Sequence, residues 1–183
     1  MVKIDQFIKN AESISLSDSD ITRLSHGDIK TITYPQLKDY QSLDDLFSSH
    51  DFVMILYETR QNYGHWIMLS KFKDSKGEYY EFFDPYGFQP DEELQFIDEN
   101  VRDNLGESDY HLSSMLHGNR VVVNHTRFQQ FKEDVNTCGR HCIFRFLNRR
   151  MNLKQYTEFI LGSLHNNPDY LVTVGVVFCQ VGI

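Results

Sequence analysis

Tryptophan occurs once among the 183 residues, cysteine three times and proline four times. With so little proline and no Gly-rich or low-complexity stretch, nothing reads as a linker, and residues 1–183 are expected to form one domain. Three cysteines cannot all pair, and their spacing is not that of a disulfide framework. A reducing, intracellular setting is the simpler reading. No apolar run approaches the length of a membrane-spanning helix, and the opening MVKIDQFIKN lacks a signal-peptide apolar stretch. A protein that is neither secreted nor membrane-bound is therefore expected. Basic excess is missing too. Lys and Arg number 18 against 26 Asp and Glu, a formal net charge of −8, which speaks against a broad nucleic-acid surface. A local basic stripe such as Arg145, Arg149 and Arg150 reads as a solvated helix face.

What the chain does have is apolar and aromatic material for a core. It is 40% hydrophobic and 14% aromatic, with fourteen Phe and ten Tyr. Residues 17–24 and 42–47 carry short-helix signals, each opened by a capping Ser or Asp. Residues 51–57 form an apolar run best read as a buried strand. Residues 65–72 and 78–83 are strand-like and flank a polar, Gly-containing gap, which is a hairpin signal. Leu94, Ile97, Val101 and Leu105 fall on one helical face, and residues 120–124 (RVVVN) give another short strand. From Cys138 the pattern turns helical, with Cys142, Ile143, Phe146 and Leu147 on one side. A second helix over 153–164 follows, and residues 171–178 look like a final strand. Strands in the middle with helices at both ends predict an α+β fold, a mostly antiparallel sheet flanked by helices.

The chemistry concentrates in Asn136-Thr137-Cys138-Gly139-Arg140-His141-Cys142. Asn136 or Thr137 is placed to cap the following helix, putting Cys138 in the first turn. The free N–H groups and positive dipole end there favour a thiolate. Gly139 leaves room for a substrate carbonyl near the sulfur. Cys142 reads as core, and His141 is badly aimed to serve as a base for Cys138. A thiol nucleophile needs a base, and the base needs an orienting acceptor. Of eight histidines, His65 stands out because it opens a strand just after a turn. Asp84 closes the partner strand, so a symmetric hairpin brings both to one open end. The backbone N–H of Cys138 and an upstream amide, Gln129 or Gln130, are candidate oxyanion donors. Taken singly, each residue has a plain structural reading: a packed cysteine, a hydrogen-bonded histidine, a turn-starting aspartate, two loop glutamines. A zinc site from Cys138, His141 and Cys142 competes, but the spacing matches no common zinc motif.

The order His65, Asp84, glutamine, Cys138 resembles that of the adenovirus-protease and SUMO-protease superfamily of cysteine peptidases. The matching segments are Gly64-His65-Trp66, Phe83-Asp84-Pro85-Tyr86-Gly87, Gln129-Gln130 and Cys138-Gly139-x-x-Cys142. Asn136-Thr137-Cys138-Gly139-Arg140-His141 looks most like the versions encoded by large DNA viruses and virophages. The resemblance implies a sheet carrying His65 and Asp84, a helix carrying Cys138, and Trp66 packed beside the histidine at the substrate. It implies Gln130 as the oxyanion donor, being nearer the cysteine, with Gln129 as the alternative. Both lie farther upstream than the family glutamine usually does. The expected activity is maturation of capsid or other virion precursors at small, Gly-containing sites, in the virion and the host-cell virus factory. The expected partners are protein substrates, with no cofactor, no metal and a monomeric chain. Removal of ubiquitin-like modifiers is one alternative. A catalytically silent peptide-binding domain is another.

Overall fold

A computed structural model describes residues 2–163 and 167–181, with side chains for 3–163 and 167–177. His165 and the side chain of Cys179 thus lie outside the described residues. The long central hairpin is β3 (Tyr63–Asp74) and β4 (Gly77–Phe83), preceded by β1 (Ile29–Thr33) and β2 (Phe52–Arg60) and followed by β5 (Val121–Val123). The sheet order is β1-β2-β3-β4-β5. Strands β2, β3 and β4 pair antiparallel, but both edge strands pair parallel to their neighbours. The sheet is therefore mixed rather than mostly antiparallel. Parallel pairing needs a crossover, and both edge strands have one. A 3-10 turn and α3 (Leu43–Phe47) bridge β1 to β2. A second 3-10 turn (Glu92–Phe96), α4 (Glu99–Leu105) and α5 (His111–Leu116) bridge β4 to β5.

Alternation along β2 and β3 sends successive side chains to opposite faces, and both faces are covered. Met54, Leu56, Trp66, Met68 and Phe83 face one cluster with Cys142, Ile143 and Phe146 of α6 (Cys138–Leu147). Val53, Ile55, Ile67, Leu69 and Phe82 face another, under Leu37, Leu46, Phe47, Leu94 and Leu112. Helix α2 (Asp18–Leu24) starts in a capping box from Ser17, and Ser42 caps α3. Helices α1 (Val2–Glu12), α7 (Leu153–Leu161) and α8 (Pro168–Val181) complete the fold. Among the described residues no helix is long and apolar enough to cross a membrane.

Three expectations give way. Residues 171–178 lie within helix α8, not a strand. Their valines carry strand propensity, but Asp169, Val172, Thr173 and Val176 are the buried residues, a helical repeat. Gly175 has no Cβ because one would lie 2.3 Å from the Phe144 ring, which lets α8 pack closely on α6. The single helix expected through Leu94 and Leu105 breaks at Ile97–Asp98, where Asp98 caps a new helix through the N–H of Asn100. Arg145 is not solvated: it is 1% exposed and grips Glu81 of β4 with two hydrogen bonds of 2.7 and 2.9 Å. That buried ion pair ties the helix of Cys138 to the sheet.

Candidate active site

His65 sits opposite Tyr57 at the start of β3. Its neighbour Gly64 is dictated by crowding, since a Cβ there would fall 1.8 Å from the Tyr57 carbonyl oxygen. Asp84 follows Phe83, the last residue of β4 paired with β3. Alternation puts both side chains on the face of Ile67 and Phe82, at the open end of the hairpin. Asp84 Oδ1 accepts from His65 Nε2 at 2.9 Å and from the Tyr86 N–H at 2.7 Å. A carboxylate only accepts, so Nε2 carries the proton. The Asp84 carbonyl is held by Asn124 Nδ2 at 2.6 Å. Gly87 completes the turn with φ 78°. A Cβ there would lie about 3.0 Å from the backbone of residues 125–126.

The Cys138 side chain lies beside His65 and favours its protonated form. With Nε2 committed to Asp84, Nδ1 is the ring nitrogen left for the sulfur. His65 and Cys138 are each 5% exposed, and Asp84 is 1% exposed. Burial alone pulls the imidazolium down, but the Asp84 charge and the hydrogen bond to it hold His65 well above the usual histidine range. A charged imidazolium beside the sulfur is the state that accompanies a thiolate. Tyr86 stacks on His65 with ring centres 4.4 Å apart, and Phe131 stacks on Tyr86 at 4.1 Å.

Cys138 opens α6, yet no side chain caps that helix. Thr137 occupies the cap position, but its hydroxyl donates to Asp169 instead. Asn136 donates to the Ser13 carbonyl. The first N–H groups of α6 are thus left without a capping side chain, beside the nucleophile. Arg140 adds positive charge near the sulfur and is anchored on the Ile14 carbonyl. Gly139 is buried, and a Cβ there would meet Leu16 at 3.1 Å and Trp66 at 3.4 Å. Trp66 donates from Nε1 to the Leu16 carbonyl at 3.0 Å. A groove of about 560 Å³ opens beside it, lined by Leu16, Ser17, Thr31, Tyr63, Gly64 and Trp66.

The two glutamines diverge. Gln129 is 2% exposed, and its amide donates to the Tyr86 hydroxyl at 3.2 Å and the Val135 carbonyl at 3.1 Å. The Gln130 amide points to Asn167 at 3.5 Å, away from the ring stack. Its backbone N–H donates to Asp169 Oδ2 at 3.1 Å. Asp169 Oδ1 also accepts from His141 Nε2 at 3.0 Å. One buried carboxylate on α8 therefore joins the glutamine segment, the cap position of α6 and His141. Sequence reasoning missed Asp169 because it expected a strand over residues 171–178 rather than a helix from Pro168. The zinc alternative loses its geometry, since His141 turns to Asp169 while Cys142 turns to the Trp66 carbonyl at 3.6 Å. A different residue missed by sequence is Glu93. It joins His65 and Asp84 in a buried group whose side-chain ligand atoms lie within 4.8 Å of one another.

Comparison with known proteins finds a similar chain in the Sputnik virophage, its Uncharacterized protein V9. The two are 31% identical over 172 residues, covering 91% of this chain and 97% of that protein. No family model matches.

Proposed function

The chain belongs to the family of the Sputnik virophage protein V9, and we propose that it is a cysteine endopeptidase that matures virion precursor proteins. One observation carries this reading: His65 bonds Asp84 at 2.9 Å and has the Cys138 side chain beside it. The Cys138 thiol passes its proton to His65 Nδ1, and the thiolate attacks a peptide carbonyl carbon. The carbonyl oxygen becomes an oxyanion that takes a hydrogen bond from the Cys138 N–H, and a second from the Gln129 amide when one of its N–H groups turns from the Tyr86 hydroxyl. His65 then gives its proton to the departing amine as the C–N bond breaks, leaving a thioester. Water, deprotonated by His65, attacks that thioester and releases the thiol and the new carboxylate. Asp84 fixes the imidazole tautomer throughout.

Gln129 is chosen over Gln130 because its amide abuts Tyr86, the ring stacked on His65. The groove beside Trp66 provides a path for an extended substrate. An adenovirus-protease-like arrangement, with action in the virion and the virus factory, belongs to the same proposal. The test is incubation with the virus's own precursor proteins, followed by N-terminal sequencing of the products. Discrete cuts that vanish in Cys138→Ala support the proposal, and cuts that persist in that variant refute it.

A further inference from the structure

Asp84 uses only one of its oxygens. Oδ1 serves both His65 and the Tyr86 N–H, while Oδ2 is buried with no partner among the described residues. Glu93, in the 3-10 turn between β4 and α4, is 8% exposed, and its Oε2 is likewise buried and unpartnered. Two buried carboxyl oxygens left without partners in one cluster each carry a desolvation cost. Two adjacent carboxylates cannot both ionise cheaply, and one shared proton relieves both problems.

We propose that Glu93 is a positioning residue of the peptidase site: as a neutral acid it donates its O–H to Asp84 Oδ2, completing a chain Glu93–Asp84–His65–Cys138. The inference rests on the peptidase reading for its consequence, though not for its geometry. Glu93 lies with His65 of β3 and Asp84 beyond β4, and the charge of Glu92 on its own turn, the Glu107 carboxyl after α4 and the Tyr86 phenol couple to it at longer range. Burial raises the Glu93 acid first, His65 lowers it, and Asp84 and Glu92 raise it again. The outcome is a raised acid. With both Asp84 oxygens engaged, the carboxylate cannot swing away from the imidazole.

Glutamine keeps a donor at this position and alanine removes it, so the pair separates positioning from charge. Glu93→Ala is expected to lower kcat about ten- to a hundredfold at little change in KM, whereas Glu93→Gln restores most of that loss. Loss of the Glu93 proton should add to the alkaline limb of the wild-type rate, whereas Glu93→Gln should keep only the limb set by His65. Difference infrared spectra of wild type against Glu93→Gln at neutral pH should show a protonated carboxyl C=O band, a readout that needs no activity. Glutamine and alanine losing equally, or the infrared band being absent, would overturn the proposal. So would stoichiometric zinc bound by wild type and lost from Glu93→Gln. If the infrared band is present while wild type cuts nothing, the Glu93 proton stands and the peptidase reading fails instead.

Discussion

Among the described residues stand two buried His–Asp pairs built to nearly the same dimensions. His65 meets Asp84 at 2.9 Å and His141 meets Asp169 at 3.0 Å, all four side chains being 5% exposed or less. Their second ring nitrogens differ. His65 has the Cys138 sulfur beside it, whereas His141 Nδ1 is buried with no partner among the described residues. A histidine–aspartate pair is therefore no active site by itself. What the remaining nitrogen faces decides whether the pair moves a proton or holds a helix in place. The pair on the sheet addresses the nucleophile; the pair between α6 and α8 fastens the elements around it.

The largest expected contrast comes from removing each histidine. His65→Ala should lower peptide cleavage by about 10²–10⁴-fold, the range for losing a positioned base. His141→Ala should do the reverse, costing about 1–3 kcal/mol in urea unfolding through orphaned partners while keeping most of kcat. Equal activity losses in the two variants would erase the distinction. Asp84→Asn should follow His65→Ala, because the amide no longer fixes the imidazole tautomer. Its expected loss is a hundredfold or more in kcat, on the order of other triad acids.

Asp169→Asn should act mainly on stability, by about 1–3 kcal/mol, since Asp169 joins Thr137, Gln130 and His141. A smaller fall in kcat should accompany it if the glutamine segment and the start of α6 drift apart. The smallest effect is on pH dependence, and it separates the pairs by sign. The folded His65 is raised above its ordinary 6.5. Its contribution to stability is complete below about that pH and fades as pH rises through the folded value. Asp169 is lowered from 3.8: burial raises it, but its hydrogen bonds and the His141 charge outweigh that. Its contribution is complete above about that pH and is lost as pH falls through the folded value. Urea titrations of His65→Ala and Asp169→Asn across pH should therefore converge with wild type at opposite ends, the first on the alkaline side and the second on the acid side.

The hairpin pair was legible in the sequence because local rules carry it. A turn, two alternating strands and a closing Asp-Pro place His65 and Asp84 together without help from distant residues. The start of α6 was legible for the same reason. Asp169 was not, because valine-rich residues 171–178 look like a strand until the spacing of Asp169, Val172, Thr173 and Val176 is counted. Arg145 hid in an apparent basic stripe, since only tertiary packing sets it against Glu81. Glu93 has no motif of its own, since only tertiary packing buries it with His65 and Asp84. The divergence of Gln129 from Gln130 follows from Phe128 and Gln129 both donating to the Pro85 carbonyl, a long-range contact with no sequence signature.

The central claim is that Cys138 is a nucleophile activated by His65. Its most direct test is intact-mass and peptide mapping after exposure of the folded chain to a peptide ending in a vinyl sulfone. One adduct per chain on Cys138, none on Cys142, and labelling at least about a hundredfold slower in His65→Ala is the predicted result. A folded chain whose Cys138 ignores the probe, or labels equally fast without His65, would contradict it.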